Sequence, residues 1–472
     1  MNSELRRGFV LLTLGQVLFI ICGYATHVIL ARSLGPAEYG TYGVVLSALS
    51  TVALVLTGGM PEAIAKFAAE RPADAEAIFA QGMGIQFRFS ILLTLAYAAS
   101  SPLIGLALHD SALTPALALS ALAVPPVALY AVVVGAFNGQ RRFMAQALVV
   151  GGYGVSRAIL VIVLAARFQI WGAVIGFILA PLLTTSFALP GILRRKAPGL
   201  LESRALWRFA RPVIGFTIAL TLLMGLDLFI VKSLVHDADL VGCYVAAATI
   251  AKVPYFFFSA LGVVLLPIVS SAGADDGGHV LTTARDAIRL IFAVALGVAA
   301  VGAPFSRALL QLLYGERYVA AALPLALLIV AMTIFTLTFI VAYTLNGLGH
   351  PGIAMRLTAL GLGLEALLAV PVTHQFGPAG AAAASCVVSV AVLAALVLGS
   401  RPLLGVVIPL RSLLRLSVAF VVTLAIGCAV PHVRPAHLLW CAPLAIGYVV
   451  ALVLMRELSW PELSRWVRRE RG

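Results

Sequence analysis

The sequence predicts an all-α integral membrane protein of about fourteen transmembrane helices, and three observations predict it. Fourteen apolar stretches of about 20 residues run down the chain of 472 residues, each the length a helix needs to cross roughly 30 Å of hydrocarbon. Hydrophobic residues are 62% of the sequence and charged residues 11%, too few charges to cover a soluble surface of this size. Positive charge also alternates between successive loops. With the N-terminus inside, 24 of the 32 Lys and Arg fall on the inner side and five (Arg32, Arg167, Arg307, Arg317, Arg434) on the outer side; three (Arg157, Lys232, Lys252) lie within apolar stretches. This bias predicts a multi-pass plasma-membrane protein with both termini in the cytoplasm. It also explains the net charge of +13 as an orientation signal and inner-leaflet attraction, not a nucleic-acid footprint.

The apolar stretches place spans over 9–31, 41–65, 82–108, 113–137, 144–166 and 171–193. Six more follow over 212–235, 241–270, 287–312, 320–345, 355–375 and 379–399, and two last ones over 412–431 and 437–455. Helices are the expected form because lipid cannot satisfy backbone hydrogen bonds. The first stretch is longer than a signal-peptide core and lacks a small-residue cleavage site, so it reads as a span. Gly58-Gly59-Met60-Pro61, Pro125-Pro126, Gly151-Gly152, Pro181, Pro254 and Pro371 mark expected bends, since proline removes a helical bond; ordinary membrane-helix composition is the alternative. After the last span, Ser459-Trp460-Pro461-Glu462 reads as a capping box. Trp460, Leu463, Trp466 and Val467 form one face beside Arg465, Arg468, Arg469 and Arg471. That pattern suits a helix lying on the anionic inner leaflet; a disordered basic tail is the alternative.

The chain repeats itself. Arg32-Ser33-Leu34 is followed by Gly40-Thr41-Tyr42 after the first span, and Lys232-Ser233-Leu234 by Gly242-Cys243-Tyr244 after the seventh. An even number of spans separates the copies, so both face the same side. The prediction is a parallel repeat: a six-helix lobe over 1–193, a basic cytoplasmic linker over 194–211, a second six-helix lobe over 212–399, helices 13 and 14 over 400–455, and the basic tail over 456–472.

No loop is long enough to fold as a soluble domain, which argues against an enzyme acting on water-soluble substrates. Asp237-Ala-Asp239 is the pattern a glycosyltransferase uses to hold a divalent metal. The preferred reading is a polar turn at the start of the next helix. The five cysteines are scattered at no metal or redox spacing, so no cofactor is expected.

Helix-end signatures then narrow the class. Ala31-Arg32-Ser33-Leu34-Gly35-Pro36-Ala37-Glu38-Tyr39-Gly40 and Gly58-Gly59-Met60-Pro61-Glu62 lie in the first half. Asp227, Gly242-Cys243-Tyr244, Pro267, Tyr314-Gly315-Glu316-Arg317-Tyr318, Leu345-Asn346-Gly347-Leu348-Gly349 and Phe376-Gly377-Pro378-Ala379-Gly380-Ala381-Ala382 lie in the second. In this order, over nearly the whole chain, the sequence resembles the polysaccharide-transporter branch of the multidrug/oligosaccharidyl-lipid/polysaccharide exporter superfamily, which includes O-antigen and capsule-unit flippases. The resemblance implies two six-helix lobes around a central, cationic cavity, plus two extra helices. It implies movement of an isoprenoid-diphosphate-linked sugar from the inner to the outer leaflet. Expected partners are the lipid-linked oligosaccharide, membrane lipids, and the polysaccharide polymerase and assembly proteins. The driving force would be a proton or sodium-ion gradient. A multidrug exporter of the same superfamily is the alternative within transport, and a membrane glycosyltransferase or polymerase the alternative outside it.

Charges inside the spans cost roughly 2.5–3.5 kcal/mol each at mid-bilayer and so must meet a cavity, a partner or the interface. Lys252 and Arg157 lie mid-span and read as cavity cations, with a structural role as the alternative. Lys232 and Arg88 sit near span ends, where snorkelling competes equally. Asp227 and Glu365 are deep acids, read as coupling sites or partners for these cations. Asp227 and Lys232 are five apart, about 140° around a helix, and are poorly placed to pair. Glu62 and Lys66 are spaced for a local ion pair.

Overall fold

The computed structural model describes residues 3–57, 59–71, 74–189, 214–215, 217–258, 277–347, 351–406, 408–431 and 434–457. Linker 194–211, Pro267 and the basic tail after Glu457 lie outside the described residues. The chain is an all-helical, multi-pass membrane protein. Among the described residues, eleven helices are long and apolar enough to span, and two further pairs qualify if each bent pair is one span. The 46-residue helix Phe143–Ala188 is two helices that meet at Gln169, whose backbone is not helical (φ 51°, ψ −133°). Counting its halves separately, every one of the fourteen stretches carries a helix.

The chain forms two compact units, Met1–Val245 and Ala246–Gly472. In the first, α1 (Ser3–Leu34) packs along α7 (Phe143–Ala188). α2 (Pro36–Thr57) ends where Gly59 adopts φ 88°, and α3 (Met60–Glu70) restarts with proline in its first turn. The expected bend is therefore a complete break. Proline removes the N–H that would close the turn, and the buried Gln86 of α4 (Ala75–Ala107) donates its side-chain amide to the Leu56 carbonyl at 2.6 Å. The core of this unit is formed by Met60, Ile64, Phe79, Val132, Val133 and Phe137, from α3, α4 and α6 (Val124–Gly139), whose first turn holds Pro125 and Pro126; α5 (Thr114–Ser120) precedes it. Lys66 pairs with Glu70, the carboxylate one turn later, at 3.9 Å.

Span 7 is α8 (Thr217–Leu223) and α9 (Leu226–Leu234), bent 43° at Gly225. α10 (Ala238–Ala251) follows. Asp237 caps it, its Oδ1 accepting from the amides of Asp239 and Leu240 at 2.9 and 3.2 Å. The D-x-D pair thus serves as a helix start. α9 and the first turns of α10 pack on the N-terminal half, so the first unit extends to Val245.

In the second unit, span 9 is not straight. α11 (Gly277–Gly302) and α12 (Ser306–Leu313) meet at 75°, with Pro304 between them. α13 (Ala322–Gly347) packs on α15 (Pro378–Gly399), which forms a hairpin with α14 (Pro351–Phe376). α16 (Leu410–Ala429) and α17 (Cys441–Leu454) lean on α11. Glu457, 2% exposed, ties them there: Arg289 donates to its Oε1 at 2.7 Å, and Arg415 lies 3.5 Å from its Oε2.

Candidate functional site

Arg157 lies on the first half of α7, and its guanidinium sits over three rings: Phe19 at 4.7 Å, Tyr153 at 5.4 Å and Phe177 at 5.8 Å. α1, where Phe19 resides, can come this close because Gly23 has no side chain; a Cβ there would stand 2.9 Å from the guanidinium. A cation over an aromatic face gains about 0.5–2 kcal/mol, more as water is removed. Among the described residues, no carboxylate lies within ion-pairing distance of Arg157. The rings hold the side chain without cancelling its charge, so the guanidinium can still meet an anion. Arg88, on α4, is exposed.

Lys232 is spoken for. Its ammonium donates to Asp110 Oδ2 at 2.7 Å, with side chains 12% and 28% exposed. Asp110 lies in the connection after α4, and the sequence reading did not single it out. Its neighbour His109 places ring Nδ1 3.0 Å from the Ser233 carbonyl. Asp227, five residues from Lys232 and 2% exposed, accepts from the Tyr244 hydroxyl at 2.6 Å. The two charges on α9 thus turn to different partners, as their 140° separation requires. Lys252 occupies a one-residue turn between α10 and the helical segment 253–258; it is half-buried, and its carbonyl accepts from the Phe256 amide.

Glu365, on α14, is 0% exposed and accepts from Ser385 Oγ on α15 at 2.7 Å. The hairpins carrying Arg157 and Glu365 are built alike. Each turns on one residue with positive φ, Gln169 (φ 51°, ψ −133°) or Gly377 (φ 60°, ψ −145°). Three residues later comes a glycine, Gly172 or Gly380, whose Cβ would collide with the carbonyl eight residues before it, Leu164 or Val372. Gln169 and Gly377, Gly172 and Gly380, and Arg157 and Glu365 are each 208 residues apart. So are Phe177, which stacks on Arg157, and Ser385, which bonds Glu365. The repeat seen in the sequence at the ends of the first and seventh spans therefore extends to these hairpins, and the two deep charges are one position copied twice with opposite sign. The sequence carried that signal in the shared Gly-Ala after each turn, too short to be noticed without the turn geometry.

No curated protein matches the chain by sequence. Solved structures match it by fold. Lipid II flippase MurJ, in an inward closed conformation, has TM-score 0.77 at 14% identity, covering 95% of this chain and 99% of that one. An inward-facing multidrug resistance transporter of the MATE family has TM-score 0.65 at 16% identity, covering 87% of this chain and 98% of that one. A superfamily transporter from Pyrococcus furiosus, whose binding pocket is described as of reverse polarity, has TM-score 0.63 at 16% identity, covering 87% and 95%. A family model described as polysaccharide biosynthesis protein matches residues 29–323, well over half of the chain. Folded like these transporters, the chain belongs to the polysaccharide biosynthesis protein family, on the fold of the multidrug/oligosaccharidyl-lipid/polysaccharide exporter superfamily.

Proposed function

We propose that the protein is a flippase that moves a polyprenyl-diphosphate-linked oligosaccharide from the inner to the outer leaflet of the plasma membrane by alternating access, for surface polysaccharide synthesis. The family match carries this reading: a polysaccharide biosynthesis family on a transporter fold. The wider coverage by the lipid II flippase, 95% against 87% for the multidrug exporter, supports a lipid-linked cargo over a drug. Arg157 and Lys252 are the residues that meet the diphosphate; a doubly ionised group crossing a low-dielectric region needs cationic hydrogen-bond donors. Lys232, neutralised by Asp110, drops out of that role, and Arg88 attracts substrate at its point of entry. Glu365 and Asp227 take the coupling ion, a proton or sodium, and the polysaccharide polymerase and assembly proteins receive the product.

Deleting the gene tests this. Surface glycan should fall and a polyprenyl-linked unit accumulate on the inner leaflet. Drug sensitivity with normal surface glycan would instead establish the multidrug-exporter alternative.

A further inference from the structure

The two copies of the repeated segment meet each other. A Cβ on Gly40 would lie 2.8 Å from Gly242 Cα, and one on Gly242 would collide with the Pro36 carbonyl; Gly43 in turn lies under Val245. Gly40 and Gly242 are equivalent residues of the repeat, and their backbones are in contact. At the same end of the helices, two polar contacts bridge the copies: Asp110 to Lys232, and His109 to the Ser233 carbonyl. All of these lie within the first compact unit, and they are why α9 and the first turns of α10 belong to it although the sequence repeat assigns them to the second copy.

The two kinds of contact differ in character. The glycine contacts are close packing of backbone, which tolerates sliding but gives no single bond to break. The ion pair is one discrete, partly buried interaction between a connecting segment and a helix end, and His109 beside it is held at φ 51°, a strained backbone for a non-glycine residue. We propose that Asp110–Lys232, with His109 on Ser233, is a releasable latch that holds α9 and the start of α10 against the rest of the first unit, and that its opening is a required step of the transport cycle. This rests on the alternating-access reading, in which the end closed in one state must open in the other.

Cys243 reports on the latch. It is buried, 2% exposed, and directly follows Gly242 in the chain. With Cys22, Cys386, Cys428 and Cys441 replaced by Ala, Cys243 is the sole thiol, and its alkylation rate in the purified full chain measures opening. Asp110→Asn and Lys232→Gln should each speed labelling roughly tenfold, the shift in an opening equilibrium from losing one partly buried charge pair. The swap Asp110→Lys with Lys232→Asp should return labelling to near the parental rate. Parental rates in both single variants, or fast labelling in the swap at unchanged melting temperature, would overturn the latch. The readout needs no substrate, so it fails independently of glycan export: slow labelling in every variant with normal export removes the latch and leaves the flippase standing.

Discussion

Arg157 shows how one residue can keep a full charge inside a membrane protein. Its rings compensate part of the insertion cost without supplying a counter-ion. Arg157→Ala and Lys252→Ala should each cut glycan export strongly, with membrane abundance near normal, and Lys252→Arg should retain part of the activity. Measuring export and abundance together decides the matter: normal export at normal abundance in both alanine variants would remove these residues from the substrate path. Gly23→Val gives a second handle. The added methyls occupy the guanidinium's place, so export should fall as in Arg157→Ala although no charge is removed; a fully active Gly23→Val protein would show that the cage is not needed. Asp110 was not legible at this scale. Its partner is 122 residues away, and only the packing of two distant segments brings them together.

At the scale of elements, the apolar spacing marked where the described helices lie, because a 20-residue apolar run has few other uses. The breaks were read less evenly. Met60-Pro61 announced itself through proline, whereas the turn at Gln169 was silent because glutamine carries no preference for positive φ. That difference predicts an asymmetry between the hairpins. A sparsely populated positive-φ backbone costs a non-glycine residue roughly 1–3 kcal/mol. Gln169→Gly should therefore raise thermal stability, and Gly377→Gln should lower it by about that amount. Nothing lies within 4 Å of a Cβ at Gly377, so the effect is backbone strain alone; equal melting temperatures for the parent and both variants would refute the turn geometry. Gln86→Leu should destabilise by about 1–3 kcal/mol, since it leaves the Leu56 carbonyl buried without its donor.

For the whole molecule, the alternation of charge between loops predicts the topology. In an otherwise Cys-free chain, single cysteines at Ser3, Gly139, Ser203 and Ser464 should resist an impermeant thiol reagent in intact cells, and cysteines at Ala37, Ala238 and Ala436 should react. Labelling of Ser203→Cys from outside would shift every later helix and break the fourteen-span order. This expectation comes from hydropathy and the order of charges alone. The compact units did not follow from it, since residues 226–245 join the first unit through side-chain and glycine contacts that no composition shift marks.

The matched hairpins carry a last consequence. A chain that arises by doubling begins with two interchangeable halves, and any ion welcomed by one would be welcomed by the other. Placing Arg157 in one hairpin and Glu365 at the corresponding point of the other ends that degeneracy. On the reading proposed above, two matched positions of opposite sign favour opposite ions, so the repeat would carry a chemical polarity that its hairpin geometry does not.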